Sequence, residues 1–184
     1  MRARTGLGIV RLYRGELSEA VQVLGEVYDV ACALDFAPDR AVALYELGRA
    51  NLAMEDLDTA AESLEALLSV ADKGELREYQ VRGRWLQGRI ALAQADLDAA
   101  LEALEDARGR AEAIGGRLIM WRADTALGDV HGLAGRSAEA DAAYCRAWET
   151  LQDMAATLAS EEARESLLTS PSAAKLRAKV EMGD

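Results

Sequence analysis

Arginine side chains next to aromatic rings are the residues of this sequence best suited to bind another molecule. Arg49 lies four residues after Tyr45, and Arg82 and Arg89 lie three and four residues from Trp85. A guanidinium group binds carboxylates through paired N–H donors, and it also stacks on aromatic faces. This combination favours the recognition of acidic groups together with aromatic or apolar side chains.

The sequence contains no set of residues with the spacing of a catalytic or metal site. His131 is the single histidine, Cys32 and Cys145 lie far apart, and Gly115-Gly116 is not followed by the residues of a phosphate-binding loop. Carboxylates are abundant, but their positions are typical of solvated helix faces. We therefore predict that the protein is not an enzyme and uses no cofactor and no metal.

The charges are divided between two kinds of segment. The chain has a net charge of −11, yet ten arginines and only three acids lie in residues 1–14, 40–54, 79–94 and 119–134. The segments between them carry 21 acids and four arginines, in residues 15–35, 55–72, 95–112 and 135–160. An acidic chain repels nucleic acid and anionic membranes. The net charge therefore predicts no nucleic acid or membrane partner. The arginine-rich segments predict a protein or peptide partner with acidic groups.

The composition predicts helices throughout the chain. Alanine and leucine, both strong helix formers, supply most of the apolar residues, and prolines occur only at positions 38 and 171. Alternating runs of β-branched residues are absent, so no strand is expected. No apolar run approaches the roughly 18 residues that span a bilayer, and the N-terminal apolar run is too short for a signal peptide. We predict a cytoplasmic protein.

A repeat of 40 residues gives these helices their order. Position 8 of the repeat is always glycine and position 20 is always alanine, which places Gly8, Gly48, Gly88, Gly128, Ala20, Ala60, Ala100 and Ala140 in register. Glycine inside a helix costs about 1 kcal/mol relative to alanine, so its recurrence predicts close contact between helices. Positions 17, 20, 24, 27 and 31 have helical spacing and predict one buried face. Gly15 and Gly135 are predicted to end helices.

This pattern resembles the tetratricopeptide repeat, in which glycine, alanine and a large residue occupy these positions. The resemblance implies an all-α right-handed superhelix, a tetratricopeptide-like solenoid. It predicts helix-turn-helix repeats at residues 1–40, 41–80, 81–120 and 121–160, with C-terminal capping helices at 161–184. The 40-residue period also occurs in HEAT repeats, although the Gly and Ala positions favour the first family. The longer repeat of this chain also resembles the helical sensor arms of MalT-like regulators and large bacterial signalling ATPases.

The resemblance also indicates a binding surface, because the first helices of tetratricopeptide repeats line a concave groove. Repeat positions 2, 5 and 9 are contact positions in that family, and they give Tyr45, Arg49, Arg82, Trp85, Arg89 and Arg122 as ligand- or peptide-binding residues. Asn, which the family's carboxylate clamp uses at position 9, does not occur there, so chaperone binding is not expected. The alternative is structural: these arginines pair with acids of neighbouring helices, and Trp85 lies in the core.

Two functions follow from this surface. The first is a protein-protein interaction scaffold that binds a peptide or protein segment in its groove. The alternative is a ligand-sensing or regulatory arm of a larger bacterial signalling ATPase, cyclase or transcription regulator. The sequence predicts no oligomeric state.

Overall fold

Ten α-helices make up the fold of the computed structural model, which describes residues 1–183. They are α1 (Arg2–Arg14), α2 (Leu17–Ala33), α3 (Ala37–Ala53), α4 (Leu57–Lys73), α5 (Arg77–Ala93), α6 (Leu97–Ala113), α7 (Arg117–Leu133), α8 (Ser137–Ala156), α9 (Glu161–Leu168) and α10 (Pro171–Gly183). No strand occurs within residues 1–183. The prediction of an all-α fold made of consecutive packed helix pairs is confirmed.

The helices are grouped into two compact units, Met1–Asp96 and Leu97–Asp184. The first unit holds α1 to α5, in which each helix packs against the next. The second holds α6 to α10, in which α7 packs on α6 and α8, and α8 also contacts α9 and α10. The division into four repeats and a capping segment stays a prediction.

The same turn follows each helix from α1 to α7. Each turn contains one residue with a positive φ, and these residues recur every 20 positions, at Gly15, Asp35, Glu55, Glu75, Ala95, Gly115 and Gly135. In each turn the next N–H bonds to a carbonyl five residues back, as in Glu16 to Arg11 at 3.0 Å and Asp96 to Ala91 at 3.0 Å. This pair of features is the Schellman motif, which satisfies the last carbonyls of a helix. The predicted helix ends at Gly15 and Gly135 are confirmed.

The predicted buried face is present in every second helix of a pair. Positions 20, 24, 27 and 31 of each repeat are buried, as in Ala20, Leu24, Val27 and Ala31 of α2. Position 17, which was also predicted to be buried, is only half-buried in the first three repeats and is exposed in the fourth. Three glycines at position 8 make the predicted close contacts. A Cβ on Gly8 would lie 2.7 Å from Leu24 Cγ, one on Gly48 would lie 2.6 Å from Leu86 Cδ2, and one on Gly128 would overlap the ring of Tyr144.

The two short C-terminal helices begin with serine caps. Ser160 Oγ accepts the N–H of Ala163 at 3.1 Å, and Ser170 Oγ accepts that of Ala173 at 3.3 Å. Ala173 and Leu176 of α10 are buried in the core of the second unit together with Trp121, Tyr144 and Leu151. Residues of the tail therefore cover apolar surface of α8.

Candidate functional site: arginines on an aromatic platform

Two buried rings form the floor of the candidate site in the first unit. Tyr45 of α3 is 1% exposed and Trp85 of α5 is 7% exposed. Their ring centroids lie 6.2 Å apart with planes tilted by 56°, a favourable arrangement for aromatic pairs. The α3–α5 packing therefore brings together two residues that are 40 positions apart in the sequence.

Three arginines lie on these rings and on two further tyrosines. The Arg82 guanidinium carbon is 5.4 Å from the Tyr45 centroid and 5.0 Å from that of Tyr79. Arg49 lies 5.4 Å from the Tyr13 ring and 5.7 Å from the Tyr45 ring, and Arg89 lies 5.7 Å from the Trp85 ring. Each such contact contributes about 0.5–1 kcal/mol when exposed and more when desolvated. Arginines and rings thus alternate across α1, α3 and α5.

Arg49 is held by a buried carboxylate. Its Nη1 lies 2.5 Å from Oε2 of Glu46, and the two side chains are 15% and 6% exposed. Burial acts to lower the pKa of Arg49, but the charge of Glu46 and the nearby tyrosines outweigh it, so that pKa is raised. Removing one partner of a buried pair leaves an uncompensated charge and costs about 3–5 kcal/mol. Arg49 therefore stays paired with Glu46.

Arg82 is held by a carboxylate that faces solvent. Its Nη2 lies 2.5 Å from Oε1 of Glu78, but Glu78 is 61% exposed while Arg82 is 21% exposed. The Nε of Arg82 is buried and donates no hydrogen bond within residues 1–183. An exposed pair four residues apart in a helix contributes only about 0.3–0.5 kcal/mol. Arg82 is thus fixed by the rings and only weakly by its carboxylate.

The structure brings five of the six predicted site residues together and gives two of them a different role. Tyr45 and Trp85 were expected as contact surfaces, but both are buried and support the arginines from below. The structural alternative placed Trp85 in the core, and the burial of this ring agrees with it. Arg122 is half-buried on α7 of the second unit, and its predicted role stays a prediction.

Four residues of this cluster were missed in the sequence. Tyr79 stands three residues before Arg82, and Glu46 stands three residues before Arg49, so helical i,i+3 spacing was a usable signal for both. Glu78 precedes Arg82 by four residues and could have been found in the same way. Tyr13 of α1 offered no such signal, because only the packing of α1 near α3 brings it to Arg49.

The second unit contains a different cluster, centred on the carboxylate of Asp124. This side chain of α7 is 1% exposed, and Nε of Arg108 from α6 and Nε of Arg146 from α8 each lie 3.0 Å from its Oδ1. The aspartate therefore joins three helices. No sequence pattern indicated this cluster, because Asp124 looks like a surface acid of a first helix.

The acid at repeat position 9 of the second unit is bound by the tail. Lys179 of α10 forms a short ion pair with Asp129 of α7 and donates to the Tyr144 hydroxyl at 3.0 Å. The Tyr144 hydroxyl donates to Asp129 at 2.9 Å. Burial acts to lower the pKa of Lys179, but its bonds to Asp129 and Tyr144 outweigh it and raise that pKa. This carboxylate is therefore already engaged within the chain.

The paired α-helices, the uniform turns and the glycine contacts define a helical repeat protein. Crystal structures with the same fold include a putative kinesin light chain from Podosopora anserina with nearly identical TPR-like repeats. It has a TM-score of 0.63 and 20% identity, with 99% of this chain and 93% of that chain covered. A variant of the same kinesin light chain gives a TM-score of 0.63 and 18% identity over the same shares.

Residues 41–73 match the family model of the tetratricopeptide repeat. The predicted resemblance to that family is confirmed, whereas the resemblance to MalT-like arms stays a prediction. No curated protein matches the chain by sequence. Repeats of this type are typically non-catalytic, and the match supports a protein-interaction repeat scaffold. None of the helices in residues 1–183 combines the length and the apolarity that crossing a membrane requires.

Proposed function

We propose that the first unit binds an acidic segment of a partner protein over α1, α3 and α5. The observation that carries the proposal is the row of guanidinium groups that lie over the rings of Tyr13, Tyr45, Tyr79 and Trp85. A guanidinium held over a ring still has N–H donors, and paired N–H donors suit the two oxygens of a carboxylate.

The residues have distinct roles in this proposal. Arg82 and Arg89 contact the acidic groups of the ligand, because both are half-buried and lie over rings. Tyr45 and Trp85 hold the guanidinium groups in place from below. Arg49 stays bound to Glu46 and fixes the edge of the site next to Tyr13. Arg122 lies on a first helix of the second unit, and we propose that it contacts an acidic group of a ligand there.

The uneven distribution of charge supports an acidic ligand. The first-helix segments are basic in a chain whose net charge is −11. Oppositely charged groups raise the rate of encounter and fix the orientation of a partner more than they add affinity. Binding is therefore expected to weaken as salt rises, because exposed charges are screened over about 10 Å at 0.1 M salt.

The test is binding of a fluorescein-labelled polyglutamate peptide to a variant that combines Arg82→Gln with Arg89→Gln. We expect a loss of affinity of about tenfold or more, which corresponds to about 1.4 kcal/mol. The free energy of unfolding should fall by no more than about 1 kcal/mol for each stacked cation removed.

The matched control combines Arg110→Gln with Arg177→Gln, which removes the same charge from exposed arginines of the second unit. This control should leave the affinity nearly unchanged. Equal losses of affinity in both double variants would show attraction by net charge alone and would contradict a specific site. A large loss of stability with unchanged binding would show that Arg82 and Arg89 are structural.

The alternative role, a sensor arm of a larger signalling ATPase, cyclase or transcription regulator, stays a prediction. The sequence that adjoins this one in the parent gene distinguishes the two roles, because a nucleotide-binding domain there would favour the sensor arm.

A further inference from the structure

Tyr13, Tyr45, Tyr79 and Trp85 form the aromatic platform of the site. Arg82 and Arg49 both lie over its Tyr45 ring, but the carboxylates that pair with them differ in exposure. Glu46 is 6% exposed, three residues before Arg49, and it lies beneath the surface. Glu78 is 61% exposed, four residues before Arg82, and it lies at the rim. A ligand can reach and replace the second carboxylate but not the first.

We propose that Glu78 is an internal stand-in for the ligand and that a carboxylate of the partner replaces it on Arg82. This inference rests on the proposed function of the site. In the free protein, Glu78 occupies one donor of Arg82 at 2.5 Å, while the buried Nε of Arg82 has no acceptor in the described part of the chain. This Nε is too buried for a ligand to reach, so the exchange takes place at Nη2, the donor that Glu78 occupies.

The rings explain why Arg82 can change partners without moving far. Its guanidinium carbon contacts two rings, at 5.4 Å from the Tyr45 centroid and 5.0 Å from the Tyr79 centroid. Burial raises the pKa of Tyr79, so this ring stays neutral and keeps its face against the guanidinium. Glu78 swings toward solvent when it is displaced, because its side chain is held to no other group by a hydrogen bond within residues 1–183. The exchange thus breaks one exposed ion pair and forms another at the same donor, so the other acidic groups of the ligand must provide the net gain.

This arrangement makes Glu78 a specificity-determining residue. A ligand carboxylate competes with Glu78 for the same donor, so single weak acids bind poorly. A segment with several neighbouring acids succeeds, since its other groups can bind at Arg89 while one carboxylate displaces Glu78. The ligand class is therefore an acidic peptide segment with consecutive carboxylates.

The test measures the affinity of the polyglutamate peptide for Glu78→Gln in the full chain. Removal of the competing carboxylate should tighten binding by about twofold, as expected for an exposed ion pair. The matched control is Glu181→Gln, which removes a carboxylate that is also 61% exposed and also pairs with an arginine four residues away. It should change the affinity much less, because Arg177 is not part of the aromatic platform.

Two further variants separate this inference from the proposed function. Glu78→Gln combined with Arg82→Gln should bind no better than Arg82→Gln alone, because the gain depends on Arg82. If Arg82→Gln weakens binding while Glu78→Gln and Glu181→Gln have equal effects, the exchange is overturned and the proposed function stands. If the unsubstituted protein does not bind polyglutamate, the exchange and the proposed function are both overturned. The same follows if Arg82→Gln binds polyglutamate as tightly as the unsubstituted protein.

Discussion

The two compact units use arginine in opposite ways. In the first unit, Arg49 and Arg82 come from first helices and lie over aromatic rings. In the second unit, Arg108 and Arg146 come from second helices and bind Asp124, a buried acid of the first helix α7. Similar helix pairs therefore place arginines over aromatic rings in one unit and in an internal ionic link in the other.

The position of the acid explains the difference. Glu46 faces the same side of α3 as Arg49, so the pair forms within one helix. Asp124 faces α6 and α8, and arginines of both neighbours supply the charge that neutralises it. A buried charged side chain needs a partner of opposite charge. The direction in which the side chain points therefore determines which helices the ion pair links.

The largest effect is expected for Asp124→Ala. This change leaves Arg108 and Arg146 without their shared carboxylate and removes the link between three helices. Breaking a fully buried pair costs about 3–5 kcal/mol, but the two arginines are 29% and 42% exposed and can be solvated. We therefore expect a loss of roughly 2–3 kcal/mol in the free energy of unfolding. Urea denaturation followed by circular dichroism measures it.

The control for this prediction is Glu181→Ala, which removes a more exposed acid that pairs with Arg177 on one helix. Such a surface pair contributes about 0.3–0.5 kcal/mol. If both variants lost the same small amount of stability, Asp124 would not link the helices and the contrast between the units would fail.

An intermediate effect is expected when alanine replaces the glycine at position 8 in each unit. In Gly48→Ala the new methyl group meets the flexible end of Leu86, whereas in Gly128→Ala it meets the rigid ring of Tyr144. That ring is also held by Asp129 and Lys179. Alanine gains about 1 kcal/mol of helix propensity over glycine, and overpacking costs about 1–3 kcal/mol.

We expect Gly48→Ala to stay within about 1 kcal/mol of the unsubstituted protein and Gly128→Ala to lose about 1–2 kcal/mol. Thermal and urea midpoints measure the difference. Gly128→Ala with Tyr144→Phe should recover part of the loss if the hydrogen-bonded hydroxyl restrains the ring. A larger loss at Gly48 than at Gly128 would reverse this comparison.

The smallest effect is expected in the turns, where the two units have different residues at the same left-handed position. Ala95 has φ 61°, and Gly115 has φ 68° with no described atom within 4 Å of the site of a Cβ. A left-handed residue with a side chain costs about 1–2 kcal/mol, while glycine costs about 0.5–1 kcal/mol in lost backbone freedom. Ala95→Gly should stabilise the protein by about 0.5 kcal/mol, and Gly115→Ala should destabilise it by a similar amount.

Changes of the same sign in these two variants, measured by urea denaturation, would show that neighbouring groups and not backbone conformation determine the choice of residue in these turns.

The sequence by itself determined the helical repeat. The 40-residue register of Gly8, Gly48 and Gly128 predicted close helix contacts, and the alanine and leucine positions predicted the buried faces. These predictions succeeded because they depend on helical periodicity and side-chain size, which are local properties of a sequence. The charge pattern also predicted arginines beside aromatic residues on the first helices.

Only the tertiary structure decided which way these side chains face and what they touch. Tyr45 and Trp85 proved to be buried supports, Glu46 and Glu78 proved to differ in exposure, and Asp124 proved to be an internal link. Helical spacing places a residue on a face, but the neighbouring helices determine whether that face is covered. The partners of a charge therefore depend on contacts between residues far apart in the sequence, such as Tyr13 with Arg49 and Arg146 with Asp124.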